Sequence, residues 1–412
     1  MPDRTPTSTC PEPIMPSPHR RLAVLLLLLA APAAASCRPA DAETWGFVAT
    51  LGSDTTSVER VTRAGDRITG EAVGRSPVVV RRRWEATLAP DGSVRRWAMD
   101  THLPNAPAGR GELHHEIERQ DGTIRMVRQA GADSMDRTVR EPSARTVPWN
   151  AFLYASSELL FQAARGLPES TRVGQYFFEG WAEGKLGFAR VRRLGNGRVA
   201  IWSTGLAGEG VAELDTAGRM LSYSGAGTTY HQEVRRVADV PDLEALLERF
   251  AADERARGVP RALSERDTMR AAVGGAGIAV EYGRPLRRGR TLLGGLIPYD
   301  RVWRTGANAA THLRTTAPIR LAGVPLDSGS YTLWTLPARS GVRLVVNRET
   351  GQWGTGYQAR HDIARVAMRV DTLDAPVERF TIRVDTAGSR LVMEWGTFRW
   401  SAPVEAGRRA AP

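Results

Sequence analysis

The chain has 412 residues, of which 42% are hydrophobic and 25% are charged, a composition typical of soluble globular proteins with two to three domains and not of disordered or polytopic membrane chains. The formal net charge of +11 comes almost entirely from arginine spread along the sequence, with Lys185 as the only lysine. Because a nucleic-acid-binding face needs a clustered basic stripe, nucleic acid is not an expected partner.

The N-terminus is predicted to be an export signal peptide over residues 1–36. The stretch HRRLAVLLLLLAAPAAASC has a basic start, an apolar core that is short for a membrane span, and small residues before Cys37. The end of this stretch, AASC, resembles the lipobox of bacterial lipoproteins, in which the cysteine becomes the lipidated first residue. The resemblance implies a lipoprotein of the cell envelope, held by its lipid in a membrane and facing the periplasm or lying in the outer membrane. Ordinary cleavage near Ala35 is the alternative.

Residues 42–238 are predicted to form an antiparallel β-rich domain. Short alternating segments are separated by APDG, RQDG, LGNG and DTAG, and Asp-Gly and Asn-Gly supply the positive φ that two-residue hairpin turns need. One segment differs, because PWNAFLYASSELLFQAARGL has apolar residues at helical spacing, with Asn150 as a candidate N-cap and Gly166 as a stop. A meander with one amphipathic helix predicts a half-barrel, a curved sheet with the helix across its mouth.

A helical connector is predicted over residues 239–263, where leucines and a phenylalanine share one helical face and Asp242 lies in the first turn. After it, short strand-like runs, ARVAMRVDTL and ERFTIRVD among them, are separated by turns without intervening helices. This pattern predicts a β-sandwich over residues 264–405. The whole chain is therefore expected to be mainly β, with two halves that fold independently.

The start of the second half resembles the opening of the bacterial family DUF2911. Members share a Tyr-x-Arg-Pro strand end, a Gly-Arg pair, a Pro-Tyr-x-x-Trp-Arg-x-Gly-Ala-Asn bend and a Gly-Ser/Thr-Tyr strand. These positions are Tyr282, Arg284, Pro285, Gly289, Arg290, Pro298, Tyr299, Trp303, Arg304, Gly306, Ala307, Asn308, Gly329 and Tyr331. The family's activity is unknown, so the resemblance implies a domain and no chemistry. Ala309 stands where members often have an acidic residue, which argues against a carboxylate-dependent reaction there.

The bend PYDRVWRTGANAATHL is the densest group of candidate site residues, and two interpretations of it are open. In the first interpretation, the side chains converge on a ligand. The planar guanidinium groups of the arginines bind a carboxylate, phosphate or sulfate, and the aromatic rings stack on a sugar. The ligand-binding candidates are Tyr282, Arg284, Arg290, Tyr299, Trp303, Arg304 and Asn308. In the second, the aromatic rings fill the core and the polar groups bond to the backbone at a tight corner.

We favour the structural interpretation for Arg304 and Asn308, because polar residues at irregular corners are normally hydrogen-bonded. Any ligand contact is then expected from Tyr282, Arg284 and Arg290, at a strand end that faces the bend.

Two classes of function follow from these patterns. The first is an envelope module that binds an anionic or saccharide ligand, or a partner. The alternative is a hydrolase or lyase in which tyrosine acts as acid or base and arginine stabilises an oxyanion. Known catalytic signatures are absent from the sequence, and His114 and His115 would point to opposite faces of a strand. No metal or cofactor is therefore predicted.

The lipobox resemblance gives a first testable prediction. We expect Cys37 to carry the lipid, so the intact mass of the detergent-extracted protein should correspond to a chain that starts at Cys37 with diacylglyceryl and acyl additions. Cys37→Ala should leave the protein without these additions. An unmodified mature chain, or one that starts upstream of Cys37, would contradict the lipid anchor.

Overall fold

The computed structural model describes residues 42–407, apart from 76–77, 142–144, 151, 170, 178–184, 205, 229, 258–263 and 388. The predicted signal peptide and Cys37 lie outside the described residues. The described chain is mainly β, as predicted, with two separate sheets and two α-helices.

The first sheet has fifteen strands that follow the chain with few exceptions. Their order in the sheet is β8-β7-β6-β5-β4-β3-β2-β1-β15-β14-β13-β12-β11-β10-β9. The strands are β1 (Glu43–Leu51), β2 (Asp54–Ala64), β3 (Arg67–Arg75), β4 (Val79–Leu88), β5 (Val94–His102), β6 (Glu112–Gln120), β7 (Thr123–Ala130), β8 (Asp133–Arg140), β9 (Thr146–Trp149), β10 (Val173–Phe177), β11 (Leu186–Gly195), β12 (Arg198–Ser203), β13 (Leu206–Leu214), β14 (Met220–Ser224) and β15 (Glu233–Val237).

Tight hairpin turns produce this meander, as the sequence predicts. Asp121 and Gly122 join β6 to β7 with φ values of 49° and 74°, and Asn196 and Gly197 join β11 to β12 with 51° and 72°. Two successive residues at positive φ match the right-handed twist of the flanking strands. One pair departs from the prediction, because β9 and β10 are parallel. Parallel neighbours need a crossover connection, and a helix supplies it here.

Helix α1 (Tyr154–Ala164) makes that crossover and packs on one face of the first sheet, which we call the inner face. Its buried Leu159, Leu160 and Phe161 share a core with Phe47 and Trp97 of the sheet. Strand β9 also contacts β5, which is not its neighbour in the sheet order. The sheet therefore curves round the helix. The apolar surface that α1 and the inner face of the sheet bury against each other is the main favourable term in the stability of this half.

The start of α1 differs from the prediction. Asn150 is not the N-cap: its Oδ1 accepts a hydrogen bond from the Phe152 N–H at 2.9 Å, in the turn before the helix. The N-cap is Leu153, which has no capping oxygen. The carboxylate of Glu59 on β2 replaces it by accepting from the N–H groups of Tyr154 at 2.7 Å and Ala155 at 3.0 Å. The cap comes from a residue distant in sequence, so local spacing could not reveal it.

Helix α2 (Leu243–Arg257) lies in the predicted connector and packs on the opposite, outer face of the same sheet. Asp242 caps it by accepting from the N–H groups of Glu244 at 2.9 Å and Ala245 at 3.2 Å. Its predicted apolar face, Leu243, Leu246, Leu247 and Phe250, packs against Val48, Val58, Val73 and Val79. Successive residues of a strand point to opposite faces, so β1 contributes Phe47 to one core and Val48 to the other.

The second sheet has nine strands in the order β16-β17-β18-β21-β22-β23-β24-β19-β20. It folds back on itself, because β17 contacts β23 across a shared core although the two are not neighbours in the sheet. The strands are β16 (Ser264–Val273), β17 (Ala276–Pro285), β18 (Thr311–Thr315), β19 (Ile319–Leu321), β20 (Val324–Leu326), β21 (Gly329–Ala338), β22 (Gly341–Asn347), β23 (Asp362–Asp385) and β24 (Arg390–Ala406).

Strand β23 corrects one expectation about this half. ARVAMRVDTL and ERFTIRVD, expected as separate strands, form one continuous strand of 24 residues. Its pairing with β24 is irregular between Thr372 and Val377. Pro376 lies in this irregular stretch, where the absence of its N–H removes no ladder hydrogen bond. A proline-containing segment that resembles a turn can therefore continue a strand.

Glu59 gives a prediction about pH. Its side chain is fully buried and also accepts from Trp84 Nε1 at 3.1 Å. Burial raises the pKa of Glu59 to about 7, against the lowering effect of its three hydrogen bonds. A raised carboxyl pKa means that the folded state binds the proton more tightly. The contribution of Glu59 to stability is therefore complete below the ordinary pKa of 4.5 and is lost as pH rises through about 7. A shift of this size corresponds to about 3 kcal/mol.

We expect Glu59→Gln to remove this part of the pH dependence. The free energy of unfolding of the wild type, measured by urea titration at pH 5 and pH 8.5, should fall between the two values more steeply than that of the variant. Glu118→Gln, at an exposed position, is the control and should keep the wild-type difference. Equal pH slopes for Glu59→Gln and the wild type would show that Glu59 does not titrate in this range.

Candidate functional site

The segment between β17 and β18 contains most of the predicted site residues and begins with a tight turn. Arg288 and Gly289 have φ values of 49° and 71°. The turn is held against β23, because the N–H of Arg287 donates to the Glu378 carbonyl and the N–H of Arg288 to the Glu378 carboxylate, both at 2.8 Å. The turn therefore fixes the direction in which Arg290 leaves it.

The same turn joins the second sheet to the first. The side chain of Arg288 is only 3% exposed, and its Nε donates to Asp54 Oδ2 at 2.9 Å. The N–H of Ser53 donates to the Arg288 carbonyl at 3.2 Å. Gly52 is required beside it, since a Cβ there would lie 2.1 Å from the Arg288 oxygen. A short β1–β2 turn and a buried ion pair thus connect the two halves.

Two of the candidate ligand-binding residues lie in the core. Tyr282 is 1% exposed, and its hydroxyl donates to the Ile382 carbonyl at 3.4 Å and accepts from the Ile382 N–H at 2.9 Å. Trp303 packs in an aromatic cluster with Phe380 and Trp395, with ring centroids 5.2 and 5.9 Å away. Neither side chain faces a cleft, so the structure does not place Tyr282 where a ligand contact was expected.

Three further candidates each make a contact of their own. Arg284 donates to Asp267 at 2.9 Å and to Thr381 at 3.1 Å. Tyr299 lies under the guanidinium of Arg339, which is 5.1 Å from the ring centroid. Asn308 is exposed at a φ of 64°, and its amide donates to the Ser264 carbonyl at 3.5 Å. The predicted convergence of all the candidates therefore does not form.

Arg304 differs from its neighbours. It is half-buried, and its aliphatic part lies against Gly354, where a Cβ would come within 2.3 Å of Arg304 Cδ. Burial lowers the pKa of Arg304. Among the described residues, no hydrogen-bond acceptor or carboxylate pairs with its guanidinium. Within the described residues, the backbone hydrogen bonds expected of the Arg304 side chain are not made, and its half-buried charge has no partner.

Arg290 is a second half-buried arginine of this segment. In the described part of the chain its guanidinium donates only to backbone carbonyls, those of Arg287 at 3.0 Å and Leu286 at 2.6 Å. Burial and the charge of Arg288 lower the pKa of Arg290 to about 10, opposed by Glu378 and Asp54. No carboxylate of the described chain contacts it within ion-pair distance.

His231 completes the group and comes from the first sheet. It lies in the loop between β14 and β15 at a φ of 49° and is half-buried. Burial and the charges of Arg290 and Arg304 lower the pKa of His231 to about 4. The sequence could not reveal this residue, because nothing in its local pattern connects position 231 with positions 290 and 304. We call His231, Arg290 and Arg304 the cationic cluster.

The described part of the chain also has a cleft on the first sheet, away from the cationic cluster. This shallow cleft of about 500 Å³ lies over β2 to β6, but its charged side chains largely pair with each other, as Arg96 does with Glu85 and Glu116 at 2.8 and 2.6 Å. His114 lines this cleft while His115 is buried on the other face of β6. The described residues contain no group of three metal-ligating side chains and no helix long and apolar enough to span a membrane.

Fold and site together define a mainly β protein with a cationic cluster where its two sheets meet. Residues 264–404 match the family model DUF2911, a protein of unknown function, which confirms the resemblance of the C-terminal third. No curated protein sequence matches the chain.

Two solved structures are similar in part. One is a DUF1089-family protein from Pseudomonas aeruginosa, with a TM-score of 0.33, 15% identity, and coverage of 42% of this chain and 92% of that one. The other is a β-barrel-like protein of the domain of unknown function DUF1849 from Brucella abortus, with a TM-score of 0.30, 9% identity, and coverage of 49% and 97%. Neither likeness carries a conclusion about this chain.

The contact between the halves gives a prediction about stability. Asp54→Ala should lower the free energy of unfolding by about 3 kcal/mol, because it leaves the buried Arg288 guanidinium without its carboxylate. Glu85→Ala is the matched control, since Glu85 pairs with Arg67 at 2.7 Å on the surface and should cost less than about 1 kcal/mol. Urea unfolding measures both, and an equal loss in the two variants would contradict a special role for the buried pair.

Proposed function

We propose that this chain is an exported, lipid-anchored protein of the cell envelope that binds an anionic ligand at the cationic cluster. The observation that carries the proposal is the guanidinium of Arg304, which is half-buried without an anionic partner in the described chain. Burying an unpaired charge is unfavourable, and proteins normally pair such groups. A bound anion would supply the missing partner.

The chemistry of the cluster fits this function. Arginine presents a planar fork of donors that matches the oxygens of a carboxylate, phosphate or sulfate. Arg290 and Arg304 come from different parts of the segment between β17 and β18, and His231 comes from the first sheet, so an anion could be held from several directions. The buried positions of these side chains also increase the strength of an electrostatic contact relative to water.

Export and lipid anchoring are supported by the sequence around Cys37 alone. The predicted signal and the AASC motif would place the mature domains outside the cytoplasm on a membrane tether. The alternative function, a hydrolase or lyase, stays a prediction. No contact of the described residues favours it, because Tyr282 is saturated with backbone hydrogen bonds in the core.

We expect Arg304→Ala to separate binding from stability. Sulfate, methanesulfonate and acetate are the probes, and calorimetry should show at least about a tenfold loss of affinity for whichever anions the wild type binds, because a charge-assisted hydrogen bond is removed. The melting temperature should be unchanged or higher, since an unpaired buried charge is removed. Arg304→Lys keeps the positive charge but loses the planar guanidinium group, so this variant should also bind the anion more weakly than the wild type does.

Arg314→Ala is the matched control, because Arg314 is an exposed arginine of the same half and its loss changes the net charge equally. It should retain anion binding. If none of the three anions binds to the wild type, or if Arg304→Ala unfolds the second half without a separate effect on binding, the proposed function is wrong and the structural interpretation of Arg304 stands.

A further inference from the structure

Four of the five tryptophans of the second half are buried, and one is not. Trp353 is 56% exposed and lies in residues 348–361, between β22 and β23. Within the described residues it stacks on no other aromatic ring. Because tryptophan has a large apolar surface and is enriched at binding surfaces, this ring is a candidate contact for a ligand.

Hydrogen bonds hold the segment that carries Trp353 against the start of β18. His312 Nδ1 lies 2.8 Å from the Ala310 carbonyl, so this nitrogen carries the ring proton, and Nε2 accepts from the Gly351 N–H at 2.8 Å. The Ala310 N–H donates to the Gln352 carbonyl at 3.3 Å. The indole is thus presented by an ordered backbone, which reduces the entropy that is lost when a ligand binds.

The same segment lies directly against Arg304 and Asn308. Trp353 pairs with Ala309 in an antiparallel bridge, and the Gly354 N–H donates to the Asn308 carbonyl at 2.9 Å. The side chain of Arg304 covers Gly354, where a Cβ would lie 2.3 Å from Arg304 Cδ and 3.1 Å from Arg304 Cβ. These contacts bring the exposed indole to the arginine that has no anionic partner among the described residues.

We infer that this place binds an acidic saccharide, with Trp353 stacked on the sugar ring and the carboxylate of a uronic acid residue paired with Arg304. The inference rests on the proposed function for the charge contact, and it adds the class of ligand and the aromatic contact. The C–H groups on one face of a pyranose suit the negative face of an indole. A carboxylate offers two oxygens to the planar donors of a guanidinium.

The surroundings of Trp353 favour a sugar over a protein partner. No other large exposed apolar side chain of the described residues lies in residues 348–361, whereas a protein interface surrounds its tryptophan with a wider apolar core. Asn308 and Thr355 are exposed close to the ring along the chain and offer amide and hydroxyl groups. Such groups can hydrogen-bond to the hydroxyls of a sugar.

Three ligands test the inference by calorimetry on the whole chain. Methyl glucuronoside has both the ring and the carboxylate, its methyl ester has the ring without the charge, and acetate has the charge without the ring. The wild type should bind methyl glucuronoside at least about tenfold more tightly than either of the others, because only this ligand makes both contacts.

Trp353→Ala isolates the aromatic contact. The variant should lose about tenfold in affinity for methyl glucuronoside and keep the wild-type affinity for acetate, whereas Arg304→Ala should weaken both. Trp353→Phe keeps an aromatic ring and should retain most of the affinity for the sugar. Val370→Ala is the matched control, because Val370 is an apolar residue of the same half with 49% exposure, and it should bind all three ligands as the wild type does.

The other outcomes separate the inference from the proposed function. If Arg304→Ala weakens acetate binding but Trp353→Ala weakens the binding of no ligand, the anion site stands and the saccharide assignment is wrong. If the methyl ester binds as tightly as methyl glucuronoside, the ligand is a neutral sugar and the uronic acid class is wrong. Self-association in sedimentation that Trp353→Ala abolishes, without an effect on sugar binding, would assign the ring to a second copy of the chain and overturn the inference. If no anion binds to the wild type, the proposed function falls as well.

Discussion

The buried ion pair between Arg288 and Asp54 is the contact on which the candidate site depends. It joins the turn before Arg290 to the β1–β2 turn of the first sheet. A backbone hydrogen bond from Ser53 to Arg288 adds to this contact, and Gly52 permits the close approach of the two turns. The contact fixes the start of the segment that carries Arg290 and Arg304 against the first sheet, which also carries His231. The cationic cluster is thus a product of the arrangement of the two sheets and not of either one alone.

Buried charges elsewhere in the molecule show why the cluster is unusual. Glu59 is fully buried but accepts hydrogen bonds from the start of α1 and from Trp84. Glu158 is also buried, and Arg236 Nη1 pairs with it at 2.7 Å. In each case a neighbouring group of opposite charge or a set of N–H donors offsets part of the cost of desolvation, although burial still raises the pKa of both carboxyl groups. Arg304 has no such group in the described chain, and this contrast is the physical basis for assigning a ligand to it.

The two helices illustrate how far local sequence patterns predict structure. The sequence predicts the apolar face of α2 and an Asp242 at its start, because both depend on residues within a few positions of one another, and the structure shows that Asp242 is the cap. The apolar spacing of α1 was also apparent, but its first turn is capped by Glu59 from β2, 95 residues earlier in the chain. Hairpin turns such as Asn196-Gly197 were predictable for the same reason as α2, since the required positive φ is a local property.

The sequence by itself determined the mainly β class, several hairpin turns of the first sheet, both helices and the DUF2911 segment, because periodicity, turn residues and a long motif all lie along the chain. Only the tertiary structure decided which candidate residues face each other. Tyr282 and Trp303 are candidates on residue type but lie in the core, whereas His231 has no local signal and has its pKa lowered by the charges of Arg290 and Arg304. Burial and the distance between charges depend on how the two sheets meet, and no short stretch of sequence contains that information.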